Sequence, residues 1–333
     1  MRIALDPWGS DYGAQVTVAH EIDASDDSVR SVDEQVEARA WEPVSPPVVP
    51  LPEVTAIIDG VMRTEANAVL IEGETRSLAL FCSFATGAVV FGPQGVRIAE
   101  GTVERLFLVG NGRSARDVAV PAGSGQPVSL LYRALSSSAE TPERLREALT
   151  TQMRQSEAAV AEKLCERGRL ILADGNLTFV RTGSPAVGVI KSVQRMYLSA
   201  GAAAILERLQ PGERTPLFRI RGSAARDGYD VFSCYLRLAR PQPIQHSFAG
   251  LVRLEVKASL GVHSAVALLD QAAVKVSALA SRPPKDPRAP QNLTPIRGLE
   301  RQLRRSLGDA QLVRRGIEKA LRAMLRGDAP WAE

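Results

Sequence analysis

The stretch Val54-Thr-Ala-Ile-Ile58, followed by Asp59-Gly60, has a near copy later in the chain, Leu170-Ile-Leu-Ala173 followed by Asp174-Gly175. Both are short apolar runs with no polar alternation, the pattern of a strand buried on both faces. Such strands need cover above and below, which points to an α/β fold: a mixed β-sheet flanked by helices. At each Asp-Gly the chain is expected to turn.

Between the two runs, Leu78 to Phe84 and Ala88 to Phe91 predict a hairpin with its tip at Thr86-Gly87, and Val103 to Val109 a further strand. Gly110 to Gln126 is rich in small residues and gives no assignment. Thr141-Pro-Glu-Arg144 opens a helix with an N-cap and a proline at the first helical position, and a 3.6-residue pattern runs on to about Arg167, closed by Gly168. Beyond the second run, strands are expected at Val187 to Ile190, Phe218 to Ile220, Tyr229 to Leu238 and Leu251 to Val256. Helices are expected at Ala200 to Leu209, His263 to about Ala280, and Pro295 to about Arg326 with a break near Gly308.

Pro-rich stretches divide the chain into an N-terminal segment and linker (1–52), a main domain (53–294) and a basic C-terminal helical region (295–333). Hydrophobic residues at 45% and charged residues at 23% are those of a folded chain. The net charge of +4 is mild but unevenly spread: the first fifty residues are acidic, with Glu21, Asp23, Asp26, Asp27, Asp33, Glu34 and Glu37, and Arg301 to Arg326 is arginine-rich. Cys82, Cys165 and Cys234 form no C-x-x-C pair, so a zinc site or disulfide framework is not indicated. No apolar run approaches the ~20 residues needed to cross a bilayer, and a cytoplasmic setting is expected. Gly110-Asn-Gly112 and Gly123-Ser-Gly125 lack the strand and helix context of a phosphate loop. Thinly spread aromatic residues offer no base-stacking platform.

Either aspartate alone could simply open a turn. Glu157 alters the reading, because in the helix from Pro142 it falls within the apolar stripe of Leu149, Met153, Val160 and Leu164. A carboxylate aimed at a sheet needs a pairing group or a cation. A Glu–Arg pair or a glutamate snorkelling from the edge of the stripe is the plain alternative. Asp59, Glu157 and Asp174 together make an oxygen donor set suited to Mg²⁺ or Mn²⁺, and hence to phosphodiester hydrolysis.

The order strand-Asp, hairpin and third strand, helix-Glu, strand-Asp resembles the ribonuclease-H-like topology. More specifically, the chain resembles the NurA family of DNA-end-processing nucleases. The matching pieces are Ile57-Ile58-Asp59-Gly60, Arg154-Gln-Ser-Glu157 and Leu170 to Gly175, with Val187-Gly-Val-Ile-Lys191-Ser192, Phe232 to Leu238 and Leu251 to Val256 as further similar segments. The resemblance implies a manganese-dependent 5′-to-3′ nuclease of the bacterial type, with Mg²⁺ as the other candidate ion. It would act on single- and double-stranded DNA as a homodimer, with a HerA-type hexameric translocase, in end resection for recombinational repair. It also suggests that Lys191 and Tyr235 contact phosphate or the scissile region, although an exposed lysine and a half-buried strand tyrosine are the ordinary reading. Family members often close the site with a C-terminal histidine. His20, His246 and His263 lie outside the matching context, which leaves Asn292 or Glu300 as substitutes. The competing reading is a non-catalytic adaptor of the same fold, docking a DNA motor through its acidic N-terminus or basic C-terminus.

Overall fold

The structure is a computed structural model that describes residues 2–5, 29–47, 50–122, 129–165, 169–191, 196–222, 229–241, 248–282 and 289–326. Four sequence features, Gly123-Ser-Gly125, the helix stop at Gly168, His20 with His246, and most of the acidic N-terminal run, lie outside these residues. The α/β expectation holds: a large mixed sheet is flanked by helices.

Its spine is a meander of three long strands, β3 (Thr55–Glu72), β4 (Thr75–Gly92) and β5 (Gly95–Val109). The tight turns between them fall at Gly73 (φ 58°) and Gly95 (φ 98°), the left-handed positions that glycine tolerates. The hairpin expected at Thr86-Gly87 does not form, because β4 passes straight through with only a register shift between Thr86 and Ala88. Nor does Asp59-Gly60 turn: Asp59 pairs with Gly87 and Gly60 with Thr86 inside β3. At these two glycines the missing Cβ serves packing, since a Cβ on Gly87 would lie 3.2 Å from Leu303.

β8 (Leu170–Asp174) lies parallel to β3, and β9 (Ala186–Ile190) parallel to β8. Beyond β9 come β12 (Leu251–Lys257), β11 (Asp230–Arg237) and β10 (Phe218–Gly222), all antiparallel. Two segments with no strand expected of them also join the sheet. β2 (Val29–Asp33) pairs with β10, and β1 (Arg2–Leu5) pairs with the far end of β3. At the other end, β7 (Ser129–Ser136), also not expected from sequence, and β6 (Val118–Pro121), in the stretch left unassigned, complete a sheet of 12 strands among the described residues.

Helix α1 (Pro142–Cys165) covers one face over Ala56, Ile58, Ala88 and Val90. On the other face α4 (Val262–Leu279) and α5 (Ile296–Ser306) cover Ile57, Val61 and Val89. The helix expected at Ala200 to Leu209 is two short turns, α2 (Ala200–Ala203) and α3 (Ile205–Arg208). The C-terminal region breaks at Gly308 (φ 81°), where Asp309 caps α6 (Ala310–Leu325) by accepting from the Leu312 N–H at 2.9 Å. Among the described residues no helix is long and apolar enough to cross a membrane.

A buried ion cluster docks the N-terminal segment. Arg214, 1% exposed, donates to both carboxylate oxygens of Glu37 at 2.8 and 2.9 Å and to Asp270 on α4 at 2.7 Å. Glu37 also accepts from the Leu217 N–H at 2.7 Å. Removing the guanidinium would strand two acids, a loss of roughly 3–5 kcal/mol. Arg214→Met is therefore expected to lower the denaturant midpoint by that equivalent at unchanged m-value; a drop of under ~1 kcal/mol would show the cluster to be energetically idle.

Candidate active site

The last hydrogen-bonded pair of β3 with β8 is Ile58 with Ala173, so Asp59 and Asp174 follow side by side where the two strands part. β8 stops there because Gly175 (φ 98°) turns the chain away. β3 continues, and on that side it meets no further partner among the described residues until β1 at Ala68. The sheet is therefore open just beyond the two aspartates.

Strand alternation places Asp59 on the α5 face with Ile57 and Val61, whereas α1 lies on the face of Ala56 and Ile58. Glu157 comes from α1 and reaches the opening past the bare backbone of Gly60: a Cβ there would sit 2.6 Å from the Glu157 Oε1. Asp59, 7% exposed, and Glu157, 8% exposed, are thus buried close to Asp174. Asp59 Oδ1 accepts from the Gly60 N–H at 2.9 Å, and its Oδ2 has no hydrogen-bond partner among the described residues.

Like charges at close range disfavour ionisation. Burial, then Asp174 and Glu157, push the Asp59 carboxyl well above its ordinary range, with Lys191 opposing and Glu300 adding to the rise. Burial pushes Glu157 from 4.5 to about 7, against the pull of Arg154 and Lys191 and with a further push from Asp174. Two cations moderate the repulsion. Lys191 Nζ donates to Asp174 at 2.5 Å and to Asn292 Oδ1 at 3.0 Å. Arg154 donates to the Asp174 carbonyl at 3.1 Å.

The structure thus brings together Asp59, Glu157, Asp174 and Lys191, and adds Asn292 and Glu300 from the α5 side. Tyr235 is not brought there. Fully buried, its ring stacks on Phe218 at 5.5 Å, and it faces away from its neighbours Cys234 and Leu236, which belong to the α4–α5 face. His263 is exposed at the start of α4.

Sequence reasoning missed the supports. Arg154 stands one helical turn before Glu157, a spacing that signals a shared face. Glu255, fully buried on β12, accepts from the Leu177 N–H at 2.7 Å, the Tyr229 hydroxyl at 3.0 Å and Arg253 at 2.6 Å, and so anchors the loop that follows Asp174. Gly188 permits this, because a Cβ would fall 2.7 Å from the Gly175 carbonyl oxygen and 2.9 Å from Glu255 Cγ.

Among the described residues, no group of three or more His, Cys, Asp or Glu side chains is arranged as a ready-made metal cage. The donor chemistry nevertheless suits a hard divalent cation: three carboxylates, mutual repulsion, and a buried Asp59 oxygen with no hydrogen-bond partner.

Fold and site define a mixed α/β protein with a buried acidic centre at an opening in its sheet, balanced by one lysine and one arginine. A sequence model of the NurA domain matches residues 58–301, and the chain belongs to the NurA family. No curated protein matches the sequence. Among solved structures, the NurA nuclease from Sulfolobus solfataricus is similar over 88% of this chain and 89% of that chain, at 10% identity and a TM-score of 0.42, too loose a likeness to pair residues.

A raised carboxyl stabilises the fold only while protonated. The Glu157 contribution is fully present below pH ~4.5 and is lost as pH rises towards about 7. In chelator, Glu157→Gln is expected to be more stable than wild type at pH 8, by at most about 3 kcal/mol, and no different near pH 4. Gly60→Ala, by pushing the Glu157 carboxylate aside, is expected to flatten the pH dependence of stability in the same way. A wild-type profile in Gly60→Ala would overturn the route proposed for Glu157.

Proposed function

We propose that the chain is a divalent-metal-dependent deoxyribonuclease, with Asp59, Glu157 and Asp174 as metal ligands. The observation that carries this reading is the burial of two carboxylates, Asp59 and Glu157, beside a half-buried third, Asp174, whose charge disfavours ionising both; this costs stability, and a bound cation would relieve it. Family membership supports a nuclease acting on DNA. It also supports the finer reading: Mn²⁺ with Mg²⁺ as substitute, 5′-to-3′ cleavage, a homodimer, and a HerA-type translocase partner in end resection.

When bound, the ion would polarise a phosphodiester oxygen and lower the pKa of a coordinated water. The chain's own groups would do the rest. Glu157, held near neutral charge by burial in the free protein, would ionise as it joins the two aspartates on the cation. Lys191 bridges Asp174 and Asn292 and holds a positive charge where phosphate oxygens would lie. Asn292, fully buried, takes the place of the expected histidine as a neutral acceptor that fixes the lysine.

One observation favours the adaptor reading. The Lys191 ammonium already supplies a counter-charge to Asp174, as it would in a protein that needs no metal. Degradation of linear DNA across a Mn²⁺ titration separates the two. Wild type is expected to cleave, and Asp59→Ala, Glu157→Ala and Asp174→Ala to lose at least ~10²-fold in rate. Equal activity in all four proteins, or none in wild type at saturating Mn²⁺, would overturn the nuclease reading.

A further inference from the structure

Helix α5 lies across the strands that carry the acidic site. Leu303 and Leu299 rest against Gly87, at 3.2 and 3.6 Å from where its Cβ would be, and Gly87 is the β4 partner of Asp59. At ~100° per residue, Ile296, Leu299, Leu303 and Leu307 face the sheet and Glu300 marks one edge of that stripe. Arg304, Arg297, Arg301 and Arg305 follow Glu300 round the same flank, all exposed, whereas the other flank carries Gln302 and Ser306.

This asymmetry is not what helix stability asks for. Arg304 and Arg305 suit the C-terminal end of the helix dipole, but Arg297 sits in the first turn, where a cation is unfavourable. Like charges spaced three and four residues apart repel, and Glu300 offers a weak contact to Arg304 at 3.9 Å. On α6, Arg314 pairs with Glu318 at 3.1 Å and donates to the Glu65 carbonyl at 3.5 Å, and the helix packs on β6 and on the far half of β3, around Ala66, Ala68 and Leu70. The α5 arginines and Glu300 form an open, solvent-facing patch along one side of the helix. Glu300 is the member of this patch near enough to Asp59 for its charge to be felt there.

We infer that the flank of α5 formed by Arg297, Arg301, Arg304 and Arg305 is the track that holds the phosphodiester backbone of DNA beside the acidic centre, with Glu300 as its inner end. The inference rests on the nuclease reading for its direction, but phosphate binding by the patch does not require that cleavage follow. Guanidinium groups suit it, because each can grip phosphate oxygens through two parallel N–H donors. Repelled by Glu300 and the carboxylates beyond it, the DNA backbone would rest on the arginines and enter the centre only where a cation or Lys191 offsets the negative charge.

The test is binding of a labelled DNA duplex in EDTA across a salt titration, followed by steady-state cleavage in Mn²⁺. Arg301→Gln/Arg304→Gln is expected to bind at least ~10-fold more weakly at low salt and to lose ~1.8 from the slope of log affinity against log salt, ~0.9 for each lost phosphate contact. In cleavage its KM rises while kcat stays within about twofold. The charge-matched Arg315→Gln/Lys319→Gln on the exposed side of α6 is expected to match wild type. Unchanged binding and KM in the α5 variant, or an equal loss in the α6 variant, would overturn the track. Weakened DNA binding by the α5 variant in a wild-type background that never cleaves would leave the track standing and sink the nuclease reading.

Discussion

Crowding negative charge into a place that water barely reaches is the constraint around which this structure is arranged. Burial raises the cost of ionising Asp59 and Glu157, Asp174 raises it for both, and Glu157 raises it further for Asp59. A chain selected for stability alone would replace such acids with apolar residues of similar size. Their repulsion is moderated by Lys191 on one side and Arg154 on the other, both held by hydrogen bonds to the Asp174 segment.

The geometry that makes the crowding possible is a break in sheet pairing. β8 ends at Asp174 while β3 runs on, so the opening forms between a strand that stops and one that does not. Glycines at Gly60, Gly175 and Gly188 let Glu157, the Arg154 guanidinium and the buried Glu255 each approach the backbone more closely than a Cβ would allow. The buried pair of Glu255 with Arg253 then holds the loop after Asp174. Helices on both faces become necessary: α1 delivers Glu157 from one side, and the α4–α5 region delivers Asn292 and Glu300 from the other.

The fold class and the three carboxylates were legible in the sequence because both depend on local pattern. Continuous apolar runs mark strands covered on both faces, and a glutamate inside a helical apolar stripe must point inwards. The meaning of Asp59-Gly60 and Thr86-Gly87 was not legible. Asp-Gly reads as a turn in isolation, yet here the two segments pair with each other within long strands, so neither strand breaks. The N-terminal strands escaped notice because their short runs gain their partners across long sequence separations, Val32 with Ile220 and Leu5 with Ala68. Tyr235 lies in a strand as expected, but one residue of alternation decides its face, and tertiary packing sets which face is which.

The sequence by itself thus determined the layered architecture, the long helix bearing an inward-facing Glu157 and the two apolar runs that each end in an aspartate, because hydrophobic periodicity is written residue by residue. Tertiary structure decided that β8 ends beside Asp59 while β3 continues, that Glu157 passes Gly60 to join the aspartates from the opposite face, and that Lys191, Asn292 and Glu300 surround them. These outcomes depend on strand register and on close approach between segments about a hundred residues apart in sequence, and no local pattern specifies either.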